Sequence, residues 1–236
     1  MSMAGVLRAV GGVSALGLLA ALTACSSPSA RFYTLGGSDA ALKTATPAAF
    51  YLELAGVDMP PQVARNQMVV QDGSAQVRVL EDERWASLPA DEVRRALSAD
   101  LSQQLGAIDV YGTPHPESVP VYRVKVTVQR FESSPGRRAL IDAVWSVRGV
   151  SNQAVLTCRT VAEQPVDAGY DALVAGHRRA VDLLASAISA GVRTVSAAPP
   201  PAVTTAAAGK GNAAKSVPVV LPCPVAAISA NAAPAQ

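Results

Sequence analysis

Residues 121–131 read Val-Tyr-Arg-Val-Lys-Val-Thr-Val-Gln-Arg-Phe, and from Tyr122 to Gln129 apolar and polar side chains alternate strictly. Successive side chains of a strand point to opposite faces, so this run predicts a β-strand with one buried and one wet face. The buried side would carry Tyr122, Val124, Val126 and Val128, and the wet side Arg123, Lys125, Thr127 and Gln129. Such a strand is typical of a sheet that is covered on one side only.

More strands are predicted on both sides of this run. After a turn at residues 133–136, residues 138–150 and 154–161 each have the composition of a strand. Short links between sequential strands favour an antiparallel meander. Earlier in the chain, residues 50–57 predict a strand, and Asp72-Gly73 predicts a hairpin turn.

Two amphipathic helices complete the predicted fold. The first has an apolar stripe at every fourth residue, formed by Val93, Leu97, Leu101 and Leu105. Ser87 is placed to cap its start and Gly106 to end it. The second runs over residues 170–192. The expected fold class is α+β, a mostly antiparallel sheet with two amphipathic helices on one face. The first helix joins two strands, which allows one parallel pair.

The N-terminus has the pattern of a lipoprotein signal peptide. Arg8 precedes a short apolar run, and Leu22-Thr23-Ala24-Cys25 follows it. That run is shorter than the ~20 residues of a membrane-spanning helix. The thiol of Cys25 would carry a diacylglyceryl group. Cleavage before Cys25 would expose its α-amino group, which would carry a further acyl chain such as palmitate. An ordinary secretory signal with an incidental cysteine, or an inner-membrane anchor, is the alternative interpretation.

The predicted layout has four parts. Residues 1–24 are the signal peptide and residues 25–30 a lipidated linker. Residues 31–195 form the α+β domain, and residues 196–236, rich in Ala and Pro, a disordered tail. Cys158 and Cys223 would then lie in an oxidising compartment, where they either form a disulfide or remain unpaired. Both alternatives stay open.

Neither the composition nor the motifs indicate an enzymatic activity. The net charge is +2 without a basic run, so nucleic acid is not an expected partner. The two histidines, His115 and His177, show no metal-ligand spacing with the cysteines. His177 lies on the apolar side of the predicted second helix, as a core or interface histidine would, and a general base is the less favoured alternative. We therefore predict no catalytic residues, no metal and no cofactor.

Two tryptophans and one polar step are candidates for partner contacts. Trp85 precedes the first helix and Trp145 lies in a predicted strand, and each is interpreted first as a packing residue. Because Trp is enriched at interface hot spots, each also remains a candidate partner anchor. Arg65-Asn66-Gln67 is either a simple turn or a polar contact surface.

The order of motifs along residues 20–192 resembles one known family. The motifs are Cys25, Phe32–Leu35, Pro60-Pro61, Arg65–Val69, Arg84–Leu88, Tyr122–Phe131, Trp145 and Tyr170–Val174. Together they resemble the PqiC-like lipoproteins, which are auxiliary lipoprotein components of ABC-type transport. The Ala- and Pro-rich tail is not part of that pattern.

The resemblance implies an outer-membrane lipoprotein that faces the periplasm of a Gram-negative bacterium, and Ser26 after the lipidated cysteine agrees with that sorting. The implied partners are an MCE-domain tunnel protein for lipids and its inner-membrane transporter, and a homo-oligomer is also allowed. The candidate docking residues are Arg65, Gln67, Arg84 and Trp85.

Two other functions remain open. The chain could be a regulatory or structural envelope lipoprotein that docks on a cell-wall synthesis enzyme, or its domain could bind lipid directly.

Overall fold

A computed structural model describes residues 29–36, 48–200 and 219–225. Apart from Arg31, the strands and helices of the described residues belong to one compact unit, which begins at Phe32. In chain order they are β1 (Arg31–Tyr33), β2 (Tyr51–Asp58), β3 (Gln67–Asp72), β4 (Gln76–Trp85), α1 (Pro89–Leu105), β5 (Ile108–Asp109), β6 (Val121–Ser134), β7 (Arg138–Gly149), β8 (Ala154–Pro165), α2 (Tyr170–Ser196) and β9 (Val219–Val220), with a 3₁₀ turn at Pro61–Val63.

The strands form two sheets. A six-stranded sheet has the order β5-β2-β6-β7-β8-β9, and a three-stranded sheet has the order β1-β4-β3. The β6–β7–β8 meander is antiparallel, as the alternating sequence predicts. However, β2 pairs in parallel with both β5 and β6, and β8 pairs in parallel with β9. The prediction of a mostly antiparallel sheet is therefore wrong, and the sheets are mixed. The physical reason is the long connection through β3, β4 and α1, which brings the chain back to β2 in the same direction.

The two helices confirm the α+β class and differ from the prediction only at their ends. The first runs from Pro89 to Leu105, and Gly106 ends it at a φ of 66°, a conformation that favours glycine. Leu88, not Ser87, is the N-cap residue. The Ser87 hydroxyl instead donates to the carboxylate of Glu92 across 2.6 Å, which corrects the predicted cap. The second helix begins at Tyr170, as predicted, and extends to Ser196.

The core lies between the helices and one face of the six-stranded sheet, which we call the covered face. α2 contacts β6, β7 and β8, α1 contacts β2 and β5, and the helices contact each other. Trp145 lies at the centre of this core with 1% of its surface exposed, and its indole N–H donates to Thr160 Oγ1 across 2.9 Å. A Cβ on Gly191 would come within 2.7 Å of the Trp145 ring. The helix therefore approaches the sheet this closely because residue 191 has no side chain.

Part of the predicted disordered tail is ordered. Val219 and Val220 pair with Ala154 and Val155 of β8. Cys223 forms a disulfide with Cys158, so the paired alternative is the one that the structure shows. The prediction fails at residues 219–225 because a covalent crosslink supplies the ordering that a Pro-interrupted sequence cannot supply by itself. The rest of that tail after residue 200 lies outside the described residues.

Neither helix has the character of a membrane span. Within the described ranges, none of the helices combines the length and the apolar character that a bilayer-spanning helix needs.

Candidate functional site

The face of the six-stranded sheet opposite the covered face carries charged side chains, and we call it the open face. It is formed by alternate residues of neighbouring strands, among them Glu53 on β2, Arg123 and Lys125 on β6, and Ser146 and Arg148 on β7. The residues between them on β6 and β7 point to the covered face and are buried. The same alternation that builds the core therefore also builds this polar surface.

The connection between β5 and β6 forms a wall along the open face. Two depressions of about 480 and 490 Å³ lie against this wall, and both include Glu53 and Arg123 in their lining. We call the first the open-face pocket; it is lined by Ala55, Tyr111, Lys125, Ser146 and Arg148 as well. The second depression is lined by His115 and Val150, among others. Volumes of this size are typical of small-molecule sites.

The electrostatics of the open-face pocket are unbalanced. Three cationic side chains line it, and one carboxylate, so it has an excess of positive charge. Arg123 pairs with Glu53, and Lys125 lies 3.6 Å from Asp58. Arg148 instead donates to the neutral amide oxygen of Gln153 across 2.8 Å. The pocket therefore holds a guanidinium whose described hydrogen-bond partner carries no negative charge.

One wall of the pocket is held in place by a small network. The guanidinium of Arg94 lies 5.3 Å from the centre of the Tyr111 ring. Arg94 also donates to Leu54 O across 3.1 Å and pairs with Asp109 across 3.2 Å. The backbone N–H of Tyr111 donates to Asp109 Oδ1 across 3.1 Å. This network positions an aromatic ring that is 52% exposed at the pocket.

Further along the open face, carboxylates and guanidinium groups are paired. Arg159 donates to both carboxylate oxygens of Asp142, across 2.8 and 2.6 Å. These hydrogen bonds hold the pKa of Asp142 below its usual value, although burial of the carboxyl acts in the opposite direction. Arg138 bridges Glu132 and Glu163 in a similar way. This part of the face is therefore electrically balanced, unlike the open-face pocket.

A buried carboxylate fixes the start of α1. Glu92 accepts hydrogen bonds from the Thr34 hydroxyl across 2.7 Å and from the Leu35 backbone N–H across 2.9 Å. It also pairs with Arg95 and accepts from Ser87. Burial acts to raise the pKa of Glu92, but these hydrogen bonds and the Arg95 charge together lower it. The ionised carboxylate thus joins the segment after β1 to the first turn of α1.

His177 is a core histidine. Its Nε2 lies 2.9 Å from Ser133 Oγ, and its ring stacks on Phe131 with centroids 4.2 Å apart. Burial lowers the pKa of His177 to about 3, so the ring is neutral at physiological pH. No part of His177 is exposed, and Ser133 is 2% exposed. The Ser–His pair therefore has no access to a dissolved substrate in this conformation.

The other histidine, His115, is half-buried in the β5–β6 connection. Its ring meets Tyr51 edge to face, with centroids 5.8 Å apart. It thus lines the second depression of the open face.

The structure separates the four predicted docking residues. Trp85 is 2% exposed and packs edge to face against Phe131 and His177, so the packing interpretation is correct and its ring offers no surface to a partner. Arg65 is exposed. Gln67 and Arg84 are paired across β3 and β4, and both contact Glu81. We call Arg65, Gln67 and Arg84 the hairpin surface. The lipidation site, Cys25, lies outside the described residues.

The open-face pocket was not predicted from the sequence, although one signal pointed to it. The alternation of residues 121–131 places Arg123 and Lys125 on the wet face. Pairing of the next strand in a meander would add Arg148, which lies opposite Arg123. Glu53 and Tyr111 could not be added in this way, because they come from a parallel strand pair and a distant connection.

Comparison with a family model shows the family of this chain, and comparison with a solved structure shows its fold. The family model of the ABC-type transport auxiliary lipoprotein component matches residues 33–189. A crystal structure of an uncharacterized protein superimposes with a TM-score of 0.55 at 21% identity, covering 69% of this chain and 97% of that one. A second, a Xanthomonas campestris protein of the family DUF330, has a TM-score of 0.49 at 16% identity, covering 61% and 83%. The search of curated proteins finds no significant match.

Proposed function

Since the chain belongs to the family of ABC-type transport auxiliary lipoprotein components, we propose that it is a lipid-anchored accessory subunit of a system that carries lipids between the two membranes of a Gram-negative envelope. The observation that carries this proposal is the extent of the family match. It spans residues 33–189, from β1 to near the end of α2, and so includes nearly all of the folded domain.

The proposed location is the periplasmic face of the outer membrane. Cys25 would carry the acyl chains, and stable anchoring takes two or more of them. Ser26 follows the lipidated cysteine and agrees with sorting to the outer membrane. Only four residues separate Ser26 from Arg31, where β1 begins, so the domain would work close to the membrane.

The proposed partner is an MCE-domain tunnel protein that reaches the outer membrane from an inner-membrane transporter. The hairpin surface is the proposed docking site, because Arg65 is exposed and Gln67 lies opposite Arg84 in the β3–β4 pair. Docking requires no chemical step, and we propose that the protein is not an enzyme. The burial of Ser133 and His177 supports this proposal.

The test is affinity purification of the lipidated chain from detergent-solubilised envelopes, followed by mass spectrometry. We expect recovery of an MCE-domain protein with its permease and ATPase. The double variant Arg65→Ala, Arg84→Ala should recover about tenfold less of the MCE-domain protein, since each substitution removes a charged contact. Arg137→Ala is the matched control, because Arg137 is an exposed arginine at the β6–β7 turn.

Two results would contradict the proposal. One is recovery of a cell-wall synthesis enzyme in place of the transporter, which would favour a regulatory envelope lipoprotein. The other is fractionation of the chain with the inner membrane. Equal recovery by the hairpin variant and the control would exclude the hairpin surface alone as the docking site.

A further inference from the structure

The open-face pocket has one property that the fold does not require. Arg123 and Arg148 are directly opposite each other across β6 and β7. Like charges in this arrangement destabilise a sheet. Glu53 compensates the first guanidinium, whereas the second has only the neutral Gln153 amide as its described side-chain partner. The sheet thus keeps the Arg148 charge beside Arg123 although the pair lowers its stability. This favours a role for Arg148 in binding an external ligand.

A second cation at the pocket is available for exchange. The Lys125 ammonium lies 3.6 Å from Asp58, and the two side chains are 65% and 60% exposed. Surface pairs of this kind contribute about 0–1 kcal/mol, so an external anion can replace Asp58 at little cost. Arg148 can exchange its Gln153 contact in the same way. The ammonium and the guanidinium then offer a charge-assisted hydrogen-bonding site for an oxyanion.

The rest of the pocket favours an anion with an organic portion. The Tyr111 ring is exposed on one side and fixed by Arg94 and Asp109. Ala55 adds apolar surface, and Ser146 adds a hydroxyl group. The volume of about 480 Å³ suits a compact ligand better than a long acidic segment of a protein.

We propose that the open-face pocket binds a phosphate ester. Arg148 donates two hydrogen bonds to the phosphate, as its planar fork permits, and Lys125 supplies a second positive charge. Tyr111 contacts the carbon skeleton. Arg123 lies opposite Arg148, and its ion pair with Glu53 compensates its charge. Two sources share this chemistry: the headgroup of an anionic phospholipid and a soluble glycerol phosphate. The phospholipid source rests on the proposed transport function, whereas the anion site does not.

The test is calorimetric titration of the full mature chain, with Cys25→Ser so that its own acyl chains do not compete. The probes are dihexanoyl phosphatidylglycerol below its micellar concentration and sn-glycerol 3-phosphate. We expect at least one of them to bind. Arg148→Ala should weaken that binding about tenfold or more, since a hydrogen-bonded charge is lost. Lys125→Ala should weaken it less, and added salt should weaken it further.

Matched variants identify the site and exclude a general charge effect. Arg137→Ala removes the same charge at the far end of the β6–β7 pair and should bind as the parent does. Arg148→Lys keeps the charge but not the planar fork, so it should recover only part of the affinity. Circular dichroism and thermal melts of each variant confirm that folding is unchanged.

The outcomes separate the two sources. Tighter binding of the short-chain phospholipid supports a lipid headgroup, and equal binding of both probes supports a soluble phosphate ester. Binding of neither probe would overturn the proposal, as would affinity that Arg148→Ala leaves unchanged. Tighter binding of a glutamate-rich peptide than of either probe would also overturn it, in favour of an acidic protein partner. None of these measurements involves the transporter, so the docking proposal can fail independently.

Discussion

The covered face and the open face of the six-stranded sheet are built from alternate residues of the same strands, yet different forces act on them. On the covered face, Trp145 and its neighbours are held by close packing against α2. On the open face, Arg148, only three residues later, contacts solvent and one amide. One face thus stabilises the fold, whereas the other is free to carry charge for a ligand.

Removal of one side chain from each face should give the largest difference in the free energy of unfolding. Trp145→Ala should lower the free energy of unfolding by about 4 kcal/mol, because it leaves a cavity and removes a partner of Thr160. Arg148→Ala should change it by less than about 0.5 kcal/mol. Urea denaturation followed by fluorescence or circular dichroism gives both values. Losses of similar size would mean that the open face is as important for folding as the core.

The edge of the sheet gives the next largest effect. Cys223→Ser should lower the free energy of unfolding by about 3 kcal/mol, because the Cys158–Cys223 crosslink spans 65 residues and restricts the unfolded chain. Hydrogen exchange of β9 should also accelerate. Reductant should bring the parent protein to the same stability and leave the Cys223→Ser variant unchanged. If reductant has no effect on the parent, β9 is held by its strand pairing alone.

The two faces also differ in how well the sequence predicts them. The covered face follows from local periodicity, since the alternation from Tyr122 to Val128 and the spacing of Val93, Leu97 and Leu101 are each visible within one segment. The helix ends at Tyr170 and Gly106 were found for the same reason.

Features that join distant segments were not predictable in this way. The parallel register of Leu52 with Tyr122 depends on how a connection of more than sixty residues folds. The β9 strand depends on a disulfide whose pairing the sequence left open. The open-face pocket needs both strand pairing and the β5–β6 connection. Local patterns therefore predict elements and their buried sides, whereas the candidate site appears only once the strands are assembled.

The pKa values of two aspartates, one on the open face and one in the helix layer, are shifted in opposite directions, and the stability effect expected from them is the smallest. On the open face, Arg159 lowers the pKa of Asp142. In the helix layer, burial and then the nearby Asp182 raise the pKa of Asp100 from 3.8 to about 6. Between these pH values the folded protein therefore binds more protons than the unfolded protein, so the Asp100 contribution to stability falls as pH rises through them.

Asp100→Asn should stabilise the protein by about 1 kcal/mol near pH 7.5, allowing for solvent screening, and by almost nothing below about pH 4. Denaturation of both proteins across this range is the measurement, with Asp167→Asn, which removes an exposed carboxylate in the β8–α2 connection, as control. A gain at low pH equal to that near neutrality would show that charge burial is not its cause.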